Sequence, residues 1–145
     1  MAAMILRRAT TDDASACAAI VADWIAATAW MPGDRLTRAK LEGLMREGFP
    51  LREAWVAERD GQIDGYLSMD AEAAHVVGLY AARPGQGTGR ALLDRAKTGR
   101  RFLKLRSHAP NFAAHRFYER EGFVVIARDL PGEDGVPEVE MAWRA

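Results

Sequence analysis

Apolar and polar positions along this chain switch between a period of two and a period near 3.6, and the switches set out its elements. Met4 to Ala9 predicts a first strand, and Thr10-Thr11-Asp12-Asp13 after it supplies an N-cap and first-turn acids for a helix. Cys17, Ile20, Val21, Trp24 and Ile25 then recur at the i, i+3, i+4 spacing of one buried helical face. Trp30-Met31-Pro32-Gly33-Asp34 breaks that helix, and Thr37 caps a second one, with Leu41, Leu44 and Met45 as its apolar residues and a stop near Gly48. Glu53 to Glu58 and Ile63 to Met69 read as two antiparallel strands, joined through Asp60-Gly61, a two-residue hairpin signal. A turn around Asp70 to Ala73 leads into a strand that ends at Leu79-Tyr80-Ala81. Leu92, Leu93 and Ala96 share the face of a following helix. Phe102 to Arg106 alternates as a strand, a helix carrying Tyr118 closes on Gly122, and Phe123 to Ala127 is a further strand. After the turn-rich loop Pro131 to Pro137, Val139 to Trp143 is a last alternating strand.

Composition narrows the class. A chain of 145 residues suits one domain with a real core and is short for two, so residues 1–145 are expected to form a single domain. Twenty basic and twenty acidic residues balance, and 49% hydrophobic content is ordinary for a folded soluble protein. A nucleic-acid partner calls for a basic excess or stripe. The nearest approach, Arg90, Arg95, Lys97, Arg100, Arg101 and Lys104, reads as a solvated helix face. Cys17 is the sole cysteine, which removes an intrachain disulfide, and its place in the helical pattern makes it a core residue. The N-terminal apolar run is too short for a signal segment and no later stretch could span a bilayer, so a cytoplasmic protein without membrane contact is expected. No repeat or low-complexity tail interrupts the chain.

The densest chemistry lies at Val76-Val77-Gly78-Leu79-Tyr80-Ala81-Ala82-Arg83-Pro84-Gly85-Gln86-Gly87-Thr88-Gly89-Arg90-Ala91-Leu92-Leu93, a strand, a glycine loop and a helix start. Glycines 85, 87 and 89 let the backbone approach a ligand with its N–H groups, and the helix N-terminus behind them favours an anion, most simply a phosphate. The order is not that of a P-loop, because Gly89-Arg90-Ala91 follows where Lys-Ser or Lys-Thr is needed. A dinucleotide fingerprint fails as well: its third glycine falls on Arg90 or Leu92, and no acid stands near Leu105.

This stretch resembles the acetyl-CoA loop of the GNAT superfamily of N-acetyltransferases, Gln/Arg-x-x-Gly-x-Gly/Ala, in the register Pro84-Gly85-Gln86-Gly87-Thr88-Gly89. Pro84 stands where the family usually has Gln or Arg, with Arg83 adjacent, and proline offers no N–H. A second stretch, Asn111-Phe112-Ala113-Ala114-His115-Arg116-Phe117-Tyr118-Glu119-Arg120-Glu121-Gly122-Phe123, is similar to the family's other signature, including the Tyr-x-x-x-Gly-Phe spacing. The two occur in the family's order with room for one strand between them.

The resemblance implies a mixed α/β (α+β) acyltransferase fold, a mostly antiparallel twisted sheet of about six or seven strands flanked by about four helices. It implies direct transfer of an acetyl group from acetyl-CoA to a primary amine of a small molecule or protein. The thioester would lie beside Leu79, Tyr80 and Ala81, whose backbone N–H groups would hold the carbonyl oxygen as it gains charge. The pyrophosphate would rest on the N–H groups of Gln86, Gly87, Thr88, Gly89 and Arg90, with the Arg90 guanidinium at a CoA phosphate and Asn111 as both helix cap and cofactor contact. Tyr118 would protonate the departing thiolate. Glu72 and His75 are the available general bases, and Trp24, Trp30, Met31 and Asp34 the candidate acceptor contacts. No cluster has metal-ligand spacing and no serine or cysteine nucleophile motif is present, so metal and acyl-enzyme chemistry are not expected. A homodimer through the apolar final strand is the family analogy. Two other readings stay open: an acetyl-CoA-binding regulatory module without turnover, and a phosphate-binding module for another nucleotide.

Overall fold

The computed structural model describes residues 3–33 and 36–145. A seven-stranded sheet runs in the order β1-β2-β3-β4-β5-β7-β6, formed by β1 (Ile5–Arg8), β2 (Glu53–Arg59), β3 (Gln62–Asp70), β4 (His75–Ala81), β5 (Phe102–His108), β6 (Val124–Leu130) and β7 (Glu138–Arg144). Four helices, α1 (Ala14–Ala27), α2 (Arg38–Gly48), α3 (Thr88–Lys97) and α4 (Phe112–Arg120), cover it. Neighbouring strands are antiparallel except β4 and β5.

Period-two alternation divides the strands between two cores. Ala57, Leu67 and Met69 join Leu92, Leu93 and Ala96 of α3 on one face, with Phe117 and Tyr118 of α4 packed beside them. Val56 and Tyr66, one residue out of phase, meet Cys17, Val21 and Ile25 of α1 and Leu41 and Met45 of α2 on the other. Burial pushes the Cys17 thiol up to about 12, which suits an inert core residue. Leu44 departs from expectation: it is 57% exposed, because α2 needs only Leu41 and Met45, one turn apart, to reach α1.

Local signals explain the boundaries. Thr10 N–H donates to the Asp13 carboxylate at 2.7 Å, and Thr37 Oγ1 accepts from Lys40 N–H at 3.2 Å. Asp60 and Gly61 both take positive φ, 53° and 73°, the turn geometry whose twist matches a two-residue hairpin. The final strand lies between β5 and β6 and is paired on both sides, so the expected dimer through its edge is ruled out. The sheet's own edges are β1 and β6. Among the described residues no helix is long and apolar enough to cross a membrane.

Candidate active site

The site begins where the parallel pair comes apart. β4 and β5 pair only at His75↔Lys104 and Val76↔Leu105. Each strand continues beyond that point on its other neighbour, β4 to Ala81↔Gly65 on β3 and β5 to His108↔Glu138 on β7. The inner edges of residues 78–81 and 106–108 therefore face each other across a wedge without strand partners. Val77 is an extra residue in β4, since Ser68 pairs with Gly78 and Met69 with Val76. A bulge of this kind bends and twists its strand, which turns β4 away from β5 where pairing stops.

At the open end β4 runs into the glycine loop. Gly85 and Gly87 take φ of 80° and 77°, the left-handed region that favours glycine, and a Cβ on either would meet nothing within 4 Å. Gly89 has a different reason: a Cβ there would stand 3.3 Å from Phe117 Cζ, so this glycine lets α3 and α4 approach. α3 starts at Thr88, with no side-chain cap at Gly87, which leaves its first-turn N–H groups for a ligand.

A buried carboxylate anchors the loop. Asp64 on β3 has a side chain only 7% exposed. Thr88 Oγ1 donates to it at 3.0 Å and Arg83 Nε at 3.1 Å. Arg59 Nε lies 3.3 Å away as an ion pair without hydrogen-bond alignment, while its Nη2 donates to the Gln86 carbonyl at 2.7 Å. Burial pushes the Asp64 carboxyl up, but the bonds from Arg83 and Thr88 and the two positive charges outweigh it and hold it below the ordinary range. The Thr88 side chain is thus committed inward and its N–H alone is left for a ligand. Arg59 and Arg83 supply positive charge beside Pro84. Arg90, on the exposed side of α3, lies 3.7 Å from Glu121.

Tyr118 packs against Phe117 and Phe123, at centroid distances of 5.2 and 5.6 Å. Burial, with the nearby Tyr80 phenol adding to it, pushes its hydroxyl well above the ordinary tyrosine value. It keeps its proton at neutral pH, as a general acid must. Asn111 caps α4, its Oδ1 accepting from Ala114 N–H at 3.2 Å. Tyr80 stacks on Tyr66 and meets Trp24 edge-on at 5.4 Å. Trp24 and Trp30 lie 6.0 and 5.3 Å from the His108 ring, and His108 Nε2 is 2.7 Å from Asp134 Oδ2. Trp24 and Trp30 also face Asn111 and Phe112 across a cavity of about 370 Å³.

Not every sequence candidate joins this group. Glu72 is exposed in the β3–β4 turn. His75 is the first residue of β4, half-buried, with its pKa lowered by burial and then by Lys104. Tyr80 stands five positions further along β4, one of them the bulge residue, roughly 13 Å away, so both base candidates sit at the paired end of the wedge, away from the loop. Met31 packs against the α1–α2 core, and Asp34 falls outside the described residues. Asp64, Arg59, His108 and Asp134 were not singled out from sequence. A charged residue inside the apolar run Ile63 to Met69 was the available signal for Asp64; His108 and Asp134, 26 positions apart, gave none. Among the described residues no group of His, Cys, Asp and Glu is placed to hold a metal ion.

Comparison with known proteins places this geometry. Residues 50–125, more than half of the chain, match the Acetyltransferase (GNAT) domain. The chain is similar to peptidyl-lysine N-acetyltransferase YiaC of Escherichia coli (strain K12), 27% identical with 86% of this chain and 88% of that protein covered. Its fold is similar to that of apo YjaB from Escherichia coli, with a TM-score of 0.80 at 24% identity over 97% of each chain. It is also similar to yncA from Salmonella typhimurium, solved with its cofactor acetyl-CoA, with a TM-score of 0.73 at 23% identity over 98% of this chain and 94% of that one.

Proposed function

The chain belongs to the GNAT family of acetyltransferases, and from that premise we propose that it acts as a single domain moving an acetyl group from acetyl-CoA directly to a primary amine. The observation that carries this reading is the wedge between β4 and β5 ending at an uncapped helix N-terminus. Pantetheine takes the place of the missing strand along Leu79, Tyr80 and Ala81. The backbone N–H groups of Leu79 and Ala81, which alternate with the Tyr80 and Ala82 groups turned to β3, stabilise the thioester oxygen as it becomes negative. The pyrophosphate rests on the N–H groups of Gln86, Gly87, Thr88, Gly89 and Arg90, and Arg59 and Arg83 supply the positive charge the family pattern would put at residue 84. Asn111 holds the cofactor from the start of α4, and Tyr118 gives its proton to the CoA sulfur. Trp24, Trp30 and the cavity beside them receive the acceptor. The naming of the Escherichia coli relative for peptidyl lysine puts a lysine-bearing peptide first among acceptors to test, with small polyamines next.

Calorimetric titration with acetyl-CoA, beside CoA and ATP, tests the cofactor. Saturable micromolar binding with ATP inert is expected, and Gly87→Val should weaken it by placing a branched side chain at the phosphates. Binding followed by thiol release with an amine supports the enzyme. Binding without release from any amine tested favours the regulatory module, and no binding refutes the reading.

A further inference from the structure

The geometry points to His108, oriented by Asp134, as the base that deprotonates the acceptor amine; this rests on the acetyltransferase reading above. Extending the β4–β5 register from Val76↔Leu105, with Val77 counted as the extra residue of its bulge, puts His108 level with Tyr80, where the thioester is expected, on the strand facing it across the wedge. Its ring lies beside Trp24 and Trp30, in the aromatic wall that Tyr80 completes. The His108 and Asp134 side chains are 18% and 21% exposed, sheltered yet within reach of a ligand.

The Asp134 carboxylate is fixed from its own side, because its Oδ1 accepts from Val136 N–H at 3.0 Å. Burial pushes this carboxyl up, but that backbone bond and the one from His108 prevail and hold it below the ordinary range. An ionised carboxylate can only accept, so Nε2 carries the proton and Nδ1 is left as the ring's acceptor. None of the described residues hydrogen-bonds to Nδ1. Three described polar groups nearby are engaged elsewhere or neutral. Glu138, opposite on β7, pairs with Arg106 at 3.5 Å, His115 of α4 bonds the His108 carbonyl rather than its ring, and burial keeps the Tyr80 phenol protonated, its pKa pushed up to about 12.

An alkylamine arrives as its ammonium form. His108 Nδ1 takes one proton, and the freed nitrogen lone pair forms the C–N bond at the thioester carbon. Collapse of the adduct breaks the C–S bond, whose electron pair leaves with sulfur. The second nitrogen proton ends on that sulfur by way of Tyr118, and the histidinium returns its proton to water. One amide, one thiol and one released proton balance the step. Asp134 is a positioning residue: it fixes the tautomer and the orientation of the ring.

The test compares wild type, His108→Gln, Asp134→Asn and Asp134→Glu in thiol release across pH, with a lysine-bearing peptide, spermidine and lysine as acceptors, beside calorimetry with acetyl-CoA. His108→Gln is expected to lower kcat about 10²-fold or more, to remove the acidic limb of the pH profile, and to leave acetyl-CoA affinity within a few-fold. Asp134→Asn should lower kcat and displace that limb, and Asp134→Glu should restore part of the rate. Nitrogen-resolved NMR of the histidines supplies a readout that needs no acceptor, and an Nδ1–H tautomer at His108 overturns the assignment. A wild type that turns over while His108→Gln matches it across pH overturns the base alone. A wild type that releases no thiol with any of these amines overturns the acetyltransfer reading and the base with it.

Discussion

Two glycine-to-alanine exchanges in this chain should move stability in opposite directions, and the difference tests how the cofactor loop is held. Gly65 lies on β3 beneath the loop. A Cβ there would stand 2.8 Å from Thr88 Cγ2 and 2.8 Å from the Tyr80 carbonyl oxygen. Neither neighbour can give easily: Thr88 is 1% exposed and its hydroxyl is tied to Asp64, while the carbonyl belongs to the β3–β4 ladder. Overpacking costs typically about 1–3 kcal/mol, and two rigid neighbours place Gly65→Ala in the upper half of that range. With about 2–4 °C per kcal/mol for a domain of this size, Tm should fall by roughly 5–10 °C. Gly43, inside α2, has open space where a methyl would stand, with no atom within 4 Å, so Gly43→Ala should gain about 0.5–1 kcal/mol from helix propensity. Calorimetric melting gives both shifts, and titration with acetyl-CoA should show weakened binding for Gly65→Ala only, since Tyr80, Ala81 and Thr88 are the residues displaced. A Gly65→Ala protein that melts at or above wild type would mean that β3 does not brace the loop as described.

Tyr118→Phe should lower the transfer rate by about 10²-fold while acetyl-CoA affinity stays within a few-fold and Tm barely moves, because the ring keeps its place between Phe117 and Phe123; an unchanged rate removes Tyr118 from the mechanism. Acid should cost the fold the Asp13 anchor, whose carboxylate takes two bonds of 2.8 Å from Arg7. The Arg7 bonds, against the opposing effect of burial, hold Asp13 below its ordinary value of 3.8. Its contribution is therefore complete above that value and is lost as pH falls through the lower folded one. Asp13→Asn should lower stability near pH 7 by about 1–2 kcal/mol and by clearly less near pH 3, so equal losses in denaturant melts at the two pH values would refute the assignment.

Elements whose signals are local were legible in the sequence, and contacts between distant segments were not. The hairpin at Asp60-Gly61, the Thr37 and Asn111 caps and the apolar face of α3 each depend on residues a few positions apart. The glycine loop was legible for the same reason, although the missing side chain at Gly89 also makes room for Phe117 of α4. Glu72 and His75 looked like bases because sequence order puts them on the strand before the loop. Distance along that strand, with the wedge opening at its other end, takes them away from the glycine loop. The Val77 bulge left no trace in the residue pattern, since it is defined by what Ser68 and Met69 pair with across the turn.

Strand order explains why the missing base was hidden. If the last three strands paired in sequence order, β6 would lie against β5, and the β6–β7 loop would be carried to the outer rim of the sheet. Instead β7 inserts between β5 and β6. His108↔Glu138 is then a ladder pair at the end of β5, and Ala109 N–H donates to the Pro137 carbonyl at 2.8 Å. The loop that precedes β7 must therefore come down at the mouth of the wedge, and Asp134 arrives beside His108 for that reason. The same insertion that removes the final strand as a dimer edge builds the carboxylate–imidazole pair, so shifting the β5–β7 register should displace the pair and leave the glycine loop, braced from β3, in place.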